Sequence, residues 1–307
     1  MKKDLWVWRY ALESSGRLNS RADRTVFNGA LIREDAGFGC IHPWPELGDP
    51  SLEDCLVDLT GERSFPLVRR TAACLKADGL ARERGVSLFD DIEVPSSHAT
   101  LPAMSAEAVE QAALRGFMMA KVKAGQDIER ELACLKNLVR DFPDFRWRVD
   151  FNARGEVGQL QEAFSDWNDE DRARIDFLED PVPYEGDGWA ELGRSTRLTL
   201  ANDRMVESDR GDSGVLVVKP AVNEMITRGR VVVTSYMDHP VGQAFAAWEA
   251  GRAGVDEVCG LQTHGLFKTD EFTEMLGVAG PEFQVPEGTG LGFDDLLEGL
   301  PWTKLKV

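Results

Sequence analysis

From residue 96 onward the chain repeats one pattern: a short apolar run, then an amphipathic stretch, then another run. Eight runs can be counted, at residues 98–101, 117–123, 147–151, 175–179, 198–201, 215–219, 231–234 and 257–261. Between most of them lie segments with helical periodicity, such as 105–115, 128–140 and 241–252. Apolar runs this short suit strands buried on both faces, and parallel strands need a long crossover between them, usually a helix. The alternation therefore predicts an α/β fold. Eight units fit a closed (β/α) TIM-type barrel, whose usual span is about 200 to 250 residues. We place this barrel at residues 96–279.

The region before it reads differently. Residues 5–12 and 25–33 are expected strands, and Glu34-Asp35-Ala36-Gly37 is a turn into a third at 38–41. A Pro/Gly-rich loop, 42–50, leads to Ser51, an expected helix N-cap with Asp54 three residues on, and Gly61 is placed to end that helix. A second helix is expected over 66–84, stopped by Gly85. Residues 1–95 thus form an α+β unit. The tail, 280–307, is expected to leave the barrel and pack back on this unit.

Composition narrows the partners. A formal net charge of −18 over 307 residues disfavours nucleic acid and anionic membrane, which would repel such a surface. No stretch of about 18 apolar residues is present, and the N-terminus lacks an apolar signal core, so a cytoplasmic protein is expected. A monomer is the working expectation. Five scattered cysteines without a Cys-x-x-Cys pair suggest neither a disulfide framework nor a zinc site. The histidines, His42, His98, His239 and His264, also lack ligand spacing; each is a minor candidate for substrate contact because imidazole titrates near neutrality.

Charged and polar groups stand at the ends of the apolar runs. They are Lys121 and Lys123, Asp150 and Asn152, Glu179, Asp203, and Lys219. Residues two apart on a strand share a face, which pairs Lys121 with Lys123 and Asp150 with Asn152. In a barrel the C-terminal strand ends form the mouth where active sites are built. The steps from Lys123 to Asp150, to Glu179 and to Asp203 each match one strand plus one crossover. The steps from Asp203 to Lys219 and from Lys219 to Thr234 are shorter, so one outer helix is expected to shrink to a turn. Taken singly, Lys-Val-Lys is an ordinary solvated strand face and Asp-Phe-Asn or Glu-Asp-Pro an ordinary turn. Together, three carboxylates at one mouth would repel one another unless a hard divalent cation lay among them, and Mg2+ is the default. A lysine beside a metal and a second cation loses basicity and suits a general base toward a small-molecule carboxylate substrate.

This constellation resembles the enolase superfamily, and within it the o-succinylbenzoate synthases of menaquinone biosynthesis. Lys121-Val122-Lys123, Asp150-Phe151-Asn152, Glu179-Asp180-Pro181, Asn202-Asp203 and Val218-Lys219-Pro220 carry the resemblance. So do Gly39-Cys40-Ile41-His42-Pro43-Trp44-Pro45 and the closing motif Gly288-Thr289-Gly290-Leu291-Gly292. The resemblance implies that the α+β unit is a capping domain, with loops 17–28 and 44–49 shaping the pocket. It implies Asp150, Glu179 and Asp203 as Mg2+ ligands, Lys123 as base and then acid, and Lys219 as the cation that stabilises an enediolate. Lys121 would lower the pKa of Lys123. Asn152, Thr234, Ser235, Gly260 and Leu261 would touch substrate. The implied reaction is syn-dehydration of 2-succinyl-6-hydroxy-2,4-cyclohexadiene-1-carboxylate to o-succinylbenzoate.

The chain departs from the family pattern at Cys40, where an acidic residue is common, and at Gln262, where some relatives carry an acid. The same lysines and carboxylates also suit an N-succinylamino acid racemase or a dipeptide epimerase, with Lys123 and Lys219 as opposed bases. A non-catalytic barrel that binds a carboxylate metabolite is a third reading, distinguished by failure to bind Mg2+.

Overall fold

A computed structural model describes residues 4–306 except 15, 17, 19–23, 185 and 210. Two sheets organise them. The first is antiparallel, with β1 (Leu5–Glu13), β2 (Val26–Glu34) and β3 (Gly37–Ile41) as a meander. Helices α1 (Leu52–Thr60) and α2 (Pro66–Arg84) follow. Ser51 caps α1, its hydroxyl accepting from the Asp54 amide at 3.2 Å, and Gly85 ends α2 at φ 68°, the left-handed conformation that glycine adopts without strain.

The second sheet is parallel. Its strands are β4 (Ala99–Thr100), β5 (Met119–Lys123), β6 (Arg146–Asp150), β7 (Ile175–Glu179), β8 (Leu200–Asn202), β9 (Val215–Val218) and β10 (Val231–Val233), neighbours in chain order. Helices α3 (Ala106–Leu114), α4 (Ile128–Asp141), α5 (Val157–Ser165), α6 (Asp169–Ala173), α7 (Gly186–Thr196) and α8 (Pro240–Arg252) lie between or after them. In α4 the buried Ile128, Leu132, Leu135 and Val139 recur at helical spacing and make one apolar stripe toward the sheet.

The eighth run, expected as a strand over 257–261, is reduced to two residues. Cys259 bridges Ser97 and Gly260 bridges Thr234, both in parallel register, so the pair closes the ring between β10 and β4. The position at 260 is crowded and admits only glycine. A Cβ on Gly260 would lie 2.7 Å from Cε1 of His98 and 2.9 Å from Cγ2 of Thr234. Between Lys219 and Val231 there is no helix, in keeping with the short interval between those elements.

The tail supplies α9 (Glu271–Met275), α10 (Asp294–Gly299) and β11 (Thr303–Lys304), which pairs with β1. The Gly288–Gly292 motif acts as a clamp on α2. Leu291 donates its amide to Asp78 Oδ1 at 2.7 Å, Gly290 donates to the Val86 carbonyl at 2.9 Å, and Asp294 pairs with Arg82. Gly290 is obligatory on two counts: its φ is 55°, and a Cβ there would fall 2.1 Å from Asp78 Oδ1.

Two buried charged features were not expected from the sequence. Arg148, with no exposure, donates from Nε to Asp176 Oδ2 at 2.8 Å, and Arg146 and Arg230 reach the same carboxylate. Beyond β10, Asp238 is fully buried between barrel and cap.

Candidate active site

Strand order sets the geometry. Counting around the ring, β5 and β9 occupy the second and sixth of eight positions, so Lys123 and Lys219 approach the mouth from opposite sides. Asp150 ends β6, Glu179 ends β7 and Asp203 follows β8, filling the arc between them. A cavity of about 400 Å3 opens there, lined by Lys121, Lys123, Asp150, Asn152, Asp203, Lys219, Thr234, Ser235 and Gly260.

Two of the expected residues lie off its surface. Glu179 is buried beneath it and joins through Lys121, whose Nζ donates at 2.6 Å to Glu179 Oε1 and lies 3.1 Å from Asp150 Oδ2. Leu261 does not line the cavity. It is fully buried in the apolar core, because the chain turns its side chain away one residue beyond the bridge at Gly260.

Lys123 Nζ lies 3.9 Å from Asp150 Oδ2, and Lys219 donates to Asp203 Oδ2. The electrostatics separate the lysines. Burial, with repulsion from Lys121 and Lys219, outweighs the nearby carboxylates and brings the Lys123 pKa down to about 8. For Lys121 and Lys219 burial acts the same way, but the carboxylates outweigh it, Asp150, Glu179 and Asp203 for the first and Asp203 and Glu179 for the second, and both are raised. Burial opposes ionisation of Asp150, yet Lys121, Lys123 and Lys219 pull its pKa down to about 2. Glu179 is pushed up to about 7, first by burial and then by Asp150 and Asp203 despite Lys121. The result is one amine able to be neutral near physiological pH, facing one that stays cationic.

Among the described residues no three carboxylates, imidazoles or thiolates stand close enough together to hold a metal as they are placed. Lysine ammoniums bridge the carboxylates instead. The donor set still fits a hard cation: it is all oxygen, and Asp203 Oδ1 is buried with no hydrogen-bond partner among the described residues. Asp180 backs the arc, its Oδ1 accepting from the Asp203 amide at 3.1 Å.

The cap reaches the mouth through its Pro-rich loop. Trp44 donates from Nε1 to the Tyr236 carbonyl at 2.9 Å, and Tyr236 returns its hydroxyl to Asp49 Oδ2 at 2.9 Å. Asp49 and Tyr236 both line the cavity, and Lys219 Nζ lies 5.9 Å from the Tyr236 ring centre. Tyr236 was not singled out from the sequence, although it directly follows Thr234-Ser235. Of the second expected cap loop, 17–28, residues 17 and 19–23 lie outside those described. Gln262 has a structural task, donating to the carbonyls of Gly280 and Glu282.

The ordinary imidazole value expected of the histidines does not hold. Burial lowers all four, His42 and His239 to about 3.

A cap of antiparallel strands on a parallel barrel, with Lys-x-Lys, three carboxylates and an opposed lysine at its mouth, defines an enzyme scaffold of the enolase superfamily. Residues 103–222 match the model for the enolase C-terminal domain-like family, and residues 5–81 match that for the O-succinylbenzoate synthase N-terminal domain. An o-succinylbenzoate synthase of Bdellovibrio bacteriovorus is 31% identical over 97% of both chains, and one of Citrobacter koseri is 24% identical over 90% of this chain and 95% of that one. The chain belongs to the o-succinylbenzoate synthase family. In fold it is similar to a dipeptide epimerase from Enterococcus faecalis complexed with Mg and the dipeptide L-Leu-L-Tyr, with TM-score 0.78, 15% identity, and coverage of 95% of this chain and 99% of that one.

Proposed function

We propose that the protein is an o-succinylbenzoate synthase, removing water from 2-succinyl-6-hydroxy-2,4-cyclohexadiene-1-carboxylate. The carrying observation is the placement of Lys123 and Lys219 on opposite sides of one cavity in a chain of this family. Asp150, Glu179 and Asp203 would hold Mg2+, a reading supported by their all-oxygen chemistry and by the Mg in the structurally similar epimerase. Bound there, the ion would draw electron density from the substrate carboxylate and acidify the α-hydrogen.

Lys123 Nζ takes the α-proton as general base and returns a proton to the departing hydroxyl on the same face, so water leaves and the ring becomes aromatic. No net oxidation or reduction occurs. Lys219, held cationic by Asp203, faces the negative charge that develops on the carboxylate oxygens. Lys121 holds Asp150 and Glu179 in place and, with Lys123 and Lys219, keeps Asp150 ionised. The cap loop, through Trp44 and Asp49, covers the mouth against water.

Epimerisation is the second reading, supported by the fold of the dipeptide epimerase. It would need Lys219 to act as a base. Incubating the protein and Mg2+ with the cyclohexadiene substrate, with an EDTA control, decides between them: metal-dependent conversion to o-succinylbenzoate is expected. Its absence in a protein that binds Mg2+ would shift the assignment to the epimerase, to be tried with N-succinylamino acids and dipeptides.

A further inference from the structure

His98 is used by no step above, yet it lines the same cavity as Lys121, Lys123 and Gly260. It is only 2% exposed. Its Nδ1 lies 2.9 Å from Arg148 Nη1. A guanidinium can only donate, so Nδ1 must accept and carries no hydrogen. A neutral imidazole then holds its single N–H on Nε2.

Arg148 is not free to turn away. Its Nε is bonded to Asp176, its Nη1 also donates to the Val258 carbonyl at 2.7 Å, and its guanidinium lies 4.6 Å from the Phe177 ring centre. The ring is kept uncharged by burial first, and by Arg148 and Lys121 second. On the other side, Nε2 has no hydrogen-bond partner among the described residues. It faces the gap left by Gly260, where a Cβ would lie 2.8 Å from it. With glycine at 260, an N–H is left on the cavity wall with no acceptor among the described residues.

We infer that His98 is a substrate-binding residue of this cavity, donating from Nε2 to an anionic oxygen of the bound carboxylate. A fixed N–H donor accepts nothing, so the ligand group against it is an acceptor, as a carboxylate oxygen is, and not an ammonium. This assignment rests on the reading of the cavity as a carboxylate site. Arg148 is the positioning residue, selecting the tautomer from behind.

The test begins with the unmutated Mg2+-loaded protein, labelled with 15N-histidine, by long-range proton–nitrogen correlation. With only four histidines in the chain, a His98→Gln sample assigns the resonance. His98 is expected to show a bare Nδ1 and a protonated Nε2, constant from about pH 6 to 8. An Nδ1–H tautomer, or a titration in that range, overturns the inference. Adding o-succinylbenzoate, and separately benzoate, should then move the Nε2 resonance.

Kinetically, His98→Phe keeps the ring volume without the donor and should raise KM about tenfold, with a smaller change in kcat. His98→Gln should recover part of the loss. Wild-type kinetics in His98→Phe, or an Nε2 resonance that no carboxylate moves, would remove the binding role. Should His98→Phe fail to fold by circular dichroism, the resonance measurement on the wild type decides alone. A wild type that converts no cyclohexadiene substrate, but whose Nε2 responds to benzoate, would overturn the proposed reaction and leave this inference standing.

Discussion

The indole of Trp44 and the backbone of Tyr236 meet in a 2.9 Å hydrogen bond between residues 192 apart in the chain. Through it the cap loop is fixed to the barrel at the segment after β10, beside Lys219. Tyr236 closes the link by donating its hydroxyl to Asp49. Tyr236→Phe deletes this second bond but leaves the first, and Asp49 keeps the Trp44 amide at 2.8 Å. We expect a several-fold rise in KM with kcat less affected, and a stability loss of about 1–2 kcal/mol, read by steady-state kinetics and urea unfolding. Unchanged KM would show that this latch does not shape the pocket.

Lys123 and Asp203 should fail in different ways. Lys123→Ala is expected to lower kcat by about 100- to 10,000-fold while Mg2+ binding persists, since no ligand oxygen is removed. Asp203→Asn deletes one negative charge from the oxygen set and should raise the Mg2+ dissociation constant about tenfold or more. Calorimetric titration of Mg2+ into each variant, beside turnover at saturating metal, separates the two. Retained turnover in Lys123→Ala would remove the proposed base.

Asp238 makes stability depend on pH. Burial lifts its pKa from 3.8 to about 7, and its Oδ1 is buried without a partner among the described residues. Its folded pKa exceeds the unfolded value, so the native state holds its proton more tightly. The stabilisation is complete below about pH 4 and is lost as pH rises toward and past 7. Relative to an isosteric Asp238→Asn variant, the wild type should therefore lose up to about 4 kcal/mol between pH 4 and 8. Urea unfolding of both proteins across that range measures the difference, and parallel curves would refute the assignment.

Gly290→Ala tests the clamp. A methyl group at φ 55° and 2.1 Å from Asp78 Oδ1 must displace the carboxylate that receives the Leu291 and Phe38 amides. We expect a loss of about 2–4 kcal/mol, with the tail released from α2 and faster hydrogen exchange at Leu291.

What the sequence determined by itself was whatever depends on local pattern. Alternating apolar runs and amphipathic stretches specify strand and crossover, and Ser51, Gly61 and Gly85 mark helix ends through their own backbone and side-chain chemistry. Lys121, Lys123, Asp150, Asp203 and Lys219 were legible because strand ends of a parallel barrel converge, so spacing along the chain maps onto one mouth. The tertiary structure decided what depends on neighbours distant in the chain. The eighth strand is reduced to bridges at Cys259 and Gly260, and there His98 and Thr234 leave no room for a side chain at 260, a crowding that no run of residues near 260 records. Leu261, one residue beyond the bridge at Gly260, lies in the core rather than the cavity. Histidine pKa values fall below that of imidazole in water, since burial is a property of packing. His98 took its tautomer from Arg148, fifty residues away, and a proton's position on a ring is set by the atom across from it.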